Sequence, residues 1–306
     1  MRLVTRSDFD GLVCAVLLAE KGIIDDYKFV HPKDVQDGKV EVTKDDVLAN
    51  VPYLEGCGLW FDHHSSEDGR LEKEKLDFEG DMRVADSAAQ VIWDYYGGEK
   101  SFKSELSSLL VAVNKTDSGK LSEEEILYPE GWILLSYIMD ARTGLGRFSD
   151  YQISNYQLMR DMVQYCRTME PEQIMIKSDV QERVIRYFDQ QELCEEMLQR
   201  CTTTKGNVII TNLINEETIY SGNRFLIYGL FPKQNVDVRI MWGKNKQNVV
   251  FACGHSILNR TCNANIGELM LKFGGGGHRK VGTCQVDAAN YEESLQEIVK
   301  VLRKSG

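Results

Sequence analysis

The chain has 306 residues, 42% of them apolar and 27% charged, with a formal net charge of −11. That length favours two domains, because single cores stop growing near this size, and the composition is ordinary for a globular protein. There is no run of about 18 apolar residues to span a bilayer and no signal-like start. The acidic balance also opposes long-range attraction to duplex nucleic acid or anionic membrane. Eight cysteines are scattered without a Cys-x-x-Cys pair, which predicts reduced thiols, a cytoplasmic location and no structural zinc.

Residues 1 to about 170 alternate strand and helix signals. A strand over 2–5 leads into an apolar helix over 11–20 that ends at Gly22. Residues 27–30, 46–50 and 59–62 read as further strands, and helical segments follow near 87–96, 103–113 and 131–140. This alternation predicts an α/β fold with a doubly wound, mostly parallel sheet and helices on both faces. Residues 171–203 favour helix, either as the last helix of a first domain or as a connector. From Asn207 the pattern becomes β-rich, with strands expected over 208–211, 225–228, 236–242 and 249–252. Helices are expected over 266–272 and 291–303. The expected division is a first domain over 1–185, a helical connector over 186–205 and a smaller mixed α/β domain over 206–306, with a cleft between the domains.

Three segments concentrate reactive side chains. Asp8-Phe9-Asp10-Gly11 follows the first strand. Two carboxylates at that spacing can both face the crevice at the carboxyl edge of a sheet, and Gly11 allows a tight turn. The plainer reading is that Ser7, Asp8 or Asp10 caps the next helix. Asp62-His63-His64 ends the strand over 59–62 and supplies hard and borderline metal ligands. Its plainer reading is a cap on a helix after Ser65-Ser66.

The third segment is Gly274-Gly275-Gly276-Gly277-His278-Arg279-Lys280. Four glycines lose too much backbone entropy for a helix or a good strand interior. Their free N–H groups are expected to form an anion nest beside three phosphate contacts, against the alternative of a flexible loop. Ligands for a divalent ion and a cradle for phosphate point together to phosphoester chemistry.

With Thr116-Asp117-Ser118-Gly119, these segments resemble the DHH/DHHA1 phosphoesterase superfamily, in the family's order and over nearly the whole chain. The resemblance implies a metal-dependent phosphohydrolase that cleaves phosphodiester or phosphoanhydride bonds. The implied substrate is small: a short single-stranded oligonucleotide, a cyclic-dinucleotide product or inorganic polyphosphate. It implies metal binding by Asp8, Asp10, His63 and Asp117, with Mn2+ or Mg2+ as the ion. His64 would face the scissile phosphate and Asp62 would orient the site. Gly275, Gly276, Gly277 and His278 match the substrate-binding signature, with Arg279 alongside and Arg260 as a phosphate contact by family position. No membrane partner is expected, and a homodimer is left open. Ser87 reads as a helix N-cap rather than a ligand contact.

Two departures from the family pattern bear on the metal count. Members commonly carry a His just ahead of the first Asp, where this chain has Val4 and Arg6. They also carry a metal-bridging Asp before the Asp-His-His strand, where this chain has Asn50. Asn carries no charge and bridges metals poorly. Three outcomes follow: one ion with Arg6 supplying the missing charge, two weakly held ions, or a member that senses a nucleotide or polyphosphate without cutting it. The first is preferred, because a guanidinium near Asp8 can neutralise it and grip a phosphate oxygen. Arg6 therefore joins His64 and Asp62 among the expected catalytic residues.

Overall fold

The structure is a computed structural model of the chain and describes residues 1–64 and 77–305. It divides into two units. One comprises Met1–Lys120 and Pro129–Arg186; the other comprises Leu121–Tyr128 and the residues from Tyr187 onward. Among the described residues no helix is long and apolar enough to cross a membrane.

The first unit is built on strands β1 (Arg2–Arg6), β2 (Asp26–Val30), β3 (Asp46–Ala49), β4 (Leu59–Asp62) and β5 (Gly80–Met82). They form one sheet in the order β2-β1-β3-β4-β5, and every pairing is parallel. Parallel strands need both faces covered. Val4, Leu48 and Trp60 pack with Val35, Val40, Val51 and Tyr53 in one core cluster. The helix Phe9–Glu20 is buried from Phe9 through Leu18. It packs against the helices Ala88–Tyr95, Leu106–Ser118 and Asn155–Thr168, as an all-round apolar helix must. After β2 the chain crosses to the other side of β1 to form β3. The strand order therefore reverses between β1 and β3, and the crevice beyond the strands' carboxyl ends at such a reversal is where open α/β sheets bind ligands.

The second unit carries β6 (Thr202–Lys205), β7 (Val208–Asn212), β8 (Val236–Trp242), β9 (Val249–His255), β10 (Gly276–His278) and β11 (Val281–Val286). The sheet order is β10-β11-β9-β8-β7-β6. Among its described pairings only β7 and β8 run parallel. Val208, Val238, Ile240 and Phe251 build its core with Ile266 and Met270 of the helix Ile266–Leu271 and Ile298 and Leu302 of the helix Tyr291–Arg303.

Several expectations are corrected. The expected strand over 225–228 is instead the helix Leu226–Leu230. Parallel β7 and β8 require a crossover between them, and a helix supplies it. Asn223 starts that turn, its side chain accepting from the Phe225 N–H at 3.0 Å and its carbonyl from the Leu226 N–H at 3.2 Å. The helix over 103–113 begins at Leu106 and runs on to Ser118, so Asp117 lies in its last turn. The stretch over 171–203 is two helices, Pro171–Met175 and Ser178–Cys201. Thr202–Lys205 is strand β6, so the end of the connector expected over 186–205 is extended, not helical.

Candidate metal centre

The first carboxylates are positioned by an unusually close passage from strand to helix. A Cβ on Gly11 would lie 2.0 Å from the Arg6 carbonyl oxygen and 2.8 Å from Thr5 Oγ1, so only glycine fits this turn. Asp8 caps the helix: its Oδ1 accepts from the Gly11 N–H at 3.0 Å. The plainer sequence reading therefore holds for Asp8, but the carboxylate does more. Oδ1 also accepts from Asn50 Nδ2 at 3.0 Å, and Oδ2 lies 2.9 Å from Arg6 Nε. Burial pushes the Asp8 pKa up, and the Arg6 guanidinium opposes that rise.

Asn50 follows β3 in the left-handed backbone region, with φ of 54°. Asparagine tolerates that region better than most residues, and such outliers cluster at functional sites.

Asp10, His63 and Asp117 converge although they come from the first helix, the end of β4 and the last turn of Leu106–Ser118. Asp10 is held by the N-terminus of the helix Ala88–Tyr95: its two oxygens accept from the Ala88 and Ala89 N–H groups, each at 2.9 Å. Burial, reinforced by Asp117 and opposed by His63, still pushes its pKa up to about 7. His63 Nδ1 lies 3.2 Å from the Ala85 carbonyl oxygen. A carbonyl only accepts, so Nδ1 carries the proton there and Nε2 is the nitrogen turned toward the carboxylates. That Nε2 lies 3.3 Å from Asp117 Oδ2 and 3.6 Å from Asp10 Oδ2, yet it is buried and has no hydrogen-bond partner. Two carboxylates converging on that nitrogen call for positive charge among the three groups, which a bound cation supplies. The donor set therefore fits a divalent ion with nitrogen and oxygen ligands.

Asp62 and His64 form a neighbouring pair. Asp62 is buried, and its Oδ1 accepts from the His63 N–H at 2.8 Å and lies 2.7 Å from His64 Nδ1. The hydrogen bond that His64 donates to Asp62 raises the pKa of His64, which stands half-exposed. Asp62, His63 and His64 could also hold an ion by proximity, but Asp62 already serves His64 and the backbone. The alternative of a helix cap after Ser65-Ser66 falls on residues outside the described ones. Ser87 is the N-cap expected of it, accepting from the Gln90 N–H at 3.0 Å.

One residue of this region had no sequence signal. Arg142 holds Asp140 through its backbone N–H at 2.8 Å and its Nε at 2.8 and 3.1 Å. Burial pulls against its charge, but the carboxylates of Asp140, Asp8 and Asp117 together raise its pKa. A second guanidinium thus shares the field of the centre. Nothing in the spacing of Asp140-Ala141-Arg142 announces this.

In the second unit, the glycine segment corrects its sequence reading. Gly276–His278 is a strand, paired with β11 in the register Gly276↔Thr283, Gly277↔Gly282 and His278↔Val281. The Gly274 and Gly275 N–H groups close the preceding helix, donating to Leu271 O at 3.1 Å and Met270 O at 3.0 Å, so they are not free for an anion. The glycines serve close packing: a Cβ on Gly275 would lie 2.0 Å from Thr283 O, and one on Gly277 would lie 2.3 Å from Val281 O. His278, Arg279 and Lys280 are exposed, as is Arg260, whose Nε donates to Ile257 O at 2.9 Å. His255, missed in the sequence, joins this basic group. Its N–H donates to Lys280 O at 2.9 Å, and burial, then Lys280 and Arg279, lower its pKa.

A parallel sheet with aspartates and a histidine gathered at its strand-order reversal defines a phosphoesterase-type centre. Comparison with protein-family models and with curated proteins gives no match. Among solved structures, the chain is similar to one described as the pGpG-specific phosphodiesterase PggH from Vibrio cholerae. The identity is 45% and the TM-score 0.90, over 100% of this chain and 99% of that one. Two more distant structures share the fold alone. A DHH-domain member of the s1p family of ribosomal proteins is 12% identical, with a TM-score of 0.61 over 99% of this chain and 87% of that one. RecJ from Thermus thermophilus, in complex with Mn2+, is 11% identical, with a TM-score of 0.53 over 99% of this chain and 52% of that one. The chain belongs to the DHH family of phosphoesterases and is a phosphohydrolase.

Proposed function

We propose that this phosphohydrolase cleaves a short linear guanine dinucleotide of the pGpG type into two molecules of GMP. The observation that carries this reading is the 45% identity to a pGpG-specific phosphodiesterase across the full chain. Asp10, His63 and Asp117 would hold a divalent ion, manganese by the mixed nitrogen and oxygen donors without thiolate. Such an ion, when bound, supplies charge to phosphate oxygens and a water of lowered pKa.

The remaining roles fall to side chains. Arg6, its Nε engaged with Asp8, offers its other nitrogens to a phosphate oxygen as negative charge builds on phosphorus. Water oxygen joins phosphorus, the bond from phosphorus to the 3′ oxygen breaks, and His64, oriented by Asp62, gives the leaving oxygen its proton. In the second unit the exposed His278, Arg279 and Arg260 are available as phosphate contacts.

A substrate panel tests it. Purified protein with manganese is given pGpG, other linear diribonucleotides, cyclic di-GMP, pyrophosphate and polyphosphate, and products are separated chromatographically. GMP should form from pGpG at least roughly tenfold faster than product forms from the others, the scale of discrimination a built pocket provides. Faster turnover of polyphosphate would overturn the substrate while leaving the family assignment intact.

A further inference from the structure

At the far edge of the second unit's sheet, a cavity of about 720 Å³ opens between β6, β7 and the helix Tyr291–Arg303. Its floor is apolar: Ile210 and Val299 are buried, and Leu295 packs partly buried against the core. Its rim is cationic. Lys205 comes from β6, whereas Lys300, Arg303 and Lys304 come from the helix and the residue after it, and Glu292 is the single carboxylate of the lining. Among the described residues, none of these four cations has an ion-pair partner.

A charged helix face alone would be an ordinary solvated surface. Here positive charge arrives from two separate elements over one apolar floor, in a chain whose net charge is −11. The volume lies within the range of small-molecule pockets, about 300 to 1,000 Å³. Four strand steps separate β7 from β10, so at about 4.8 Å per step the cavity stands roughly 19 Å from the Gly276–His278 strand. It is a place apart from the substrate signature.

We propose that this cavity binds a phosphorylated nucleotide. The phosphate lies among Lys205, Lys300 and Arg303, and the base lies on the floor beside Tyr291. Cations on both walls suit a phosphate, and the apolar floor with one aromatic suits a base face. The inference does not depend on the hydrolytic substrate proposed above.

Hydrogen exchange on the full chain tests it, with GMP, guanosine and inorganic phosphate as separate probes. GMP should protect backbone amides over 202–212 and 291–304, and neither guanosine nor phosphate should do so at the same concentration. The exposed double substitution Lys300→Gln with Arg303→Gln should weaken that protection by roughly tenfold or more in GMP concentration, at an unchanged melting temperature. Protection by inorganic phosphate equal to that by GMP would overturn the nucleotide and leave a plain anion site. Absence of protection in the unaltered protein, or equal protection in the double variant, would remove the site altogether.

Discussion

Arg6 and Asp8 act as a unit, with Asn50 as the third member. Three donors converge on one buried carboxylate: the Gly11 N–H, Asn50 Nδ2 and Arg6 Nε. Arg6 carries the only formal charge among them, and its side chain remains 36% exposed, within reach of a ligand. Arg6→Ala is therefore expected to lower kcat by roughly a hundredfold, the scale of losing one charge-stabilising donor. Arg6→Lys should recover only part of this, because an ammonium cannot serve Asp8 and a phosphate oxygen with one rigid fork. Steady-state kinetics with manganese decide the matter, and full activity in Arg6→Ala would take Arg6 out of the mechanism. The residue types at this centre were legible in the chain, since Asp10, His63 and Asp117 all stand in short motifs. Arg142 was not, because what ties it to the centre is proximity to Asp8 and Asp117 across unrelated segments.

The glycine segment shows how an element can be misjudged from composition. Four glycines argue against a strand on entropy, yet β10 forms beside β11, which comes too close for a side chain at Gly275 and Gly277. The cost in backbone freedom is offset by pairing and packing that composition does not display. Gly277 combines φ of 152° with a would-be Cβ 2.3 Å from Val281 O, whereas a Cβ on Gly276 would meet nothing within 4 Å. Gly277→Ala should destabilise the protein by about 1–3 kcal/mol. Gly276→Ala should stay within about 0.5 kcal/mol. Denaturant midpoints measured on both variants separate the two accounts; equal midpoints would mean that close packing does not set this strand. Residues 225–228 were misjudged for another reason. A short apolar run has no period to distinguish strand from helix, and the parallel pairing of β7 with β8 selects the crossover helix.

At the scale of the molecule, the arrangement bears on how many ions one chain holds. The two groups that could hold a metal among the described residues share His63, whose Nδ1 is engaged with Ala85 O. Asp62 is committed to His64, and Asp8 is committed to Arg6, Asn50 and the helix N-terminus. His63 Nε2 alone among these atoms is left without a hydrogen-bond partner, and Asp10 and Asp117 are the carboxylates that face it. Manganese should therefore bind at about one ion per chain, read by elemental analysis and by titration calorimetry. Arg6→His combined with Asn50→Asp should raise the count toward two, by exchanging a fixed cation and a neutral amide for ligands. Two tightly held ions in the unaltered protein would refute the single-ion account.

The residues in their order were enough to determine that strands alternate with helices in the first half, that β structure dominates the second, and that Asp10, His63 and Asp117 stand in short motifs rich in metal-ligand types. Periodicity and local motif are properties of neighbouring residues, so they survive without coordinates. Tertiary structure alone decided which atoms meet. Asp8 is neutralised by Arg6 and Asn50 because β1 and β3 lie side by side. Asp10 is gripped by Ala88 and Ala89, nearly eighty residues away. His63 Nε2 is left facing two carboxylates because Ala85 takes its other nitrogen. Each of these depends on the direction of a side chain and the burial of its partner, and those are set by packing between segments distant in the chain.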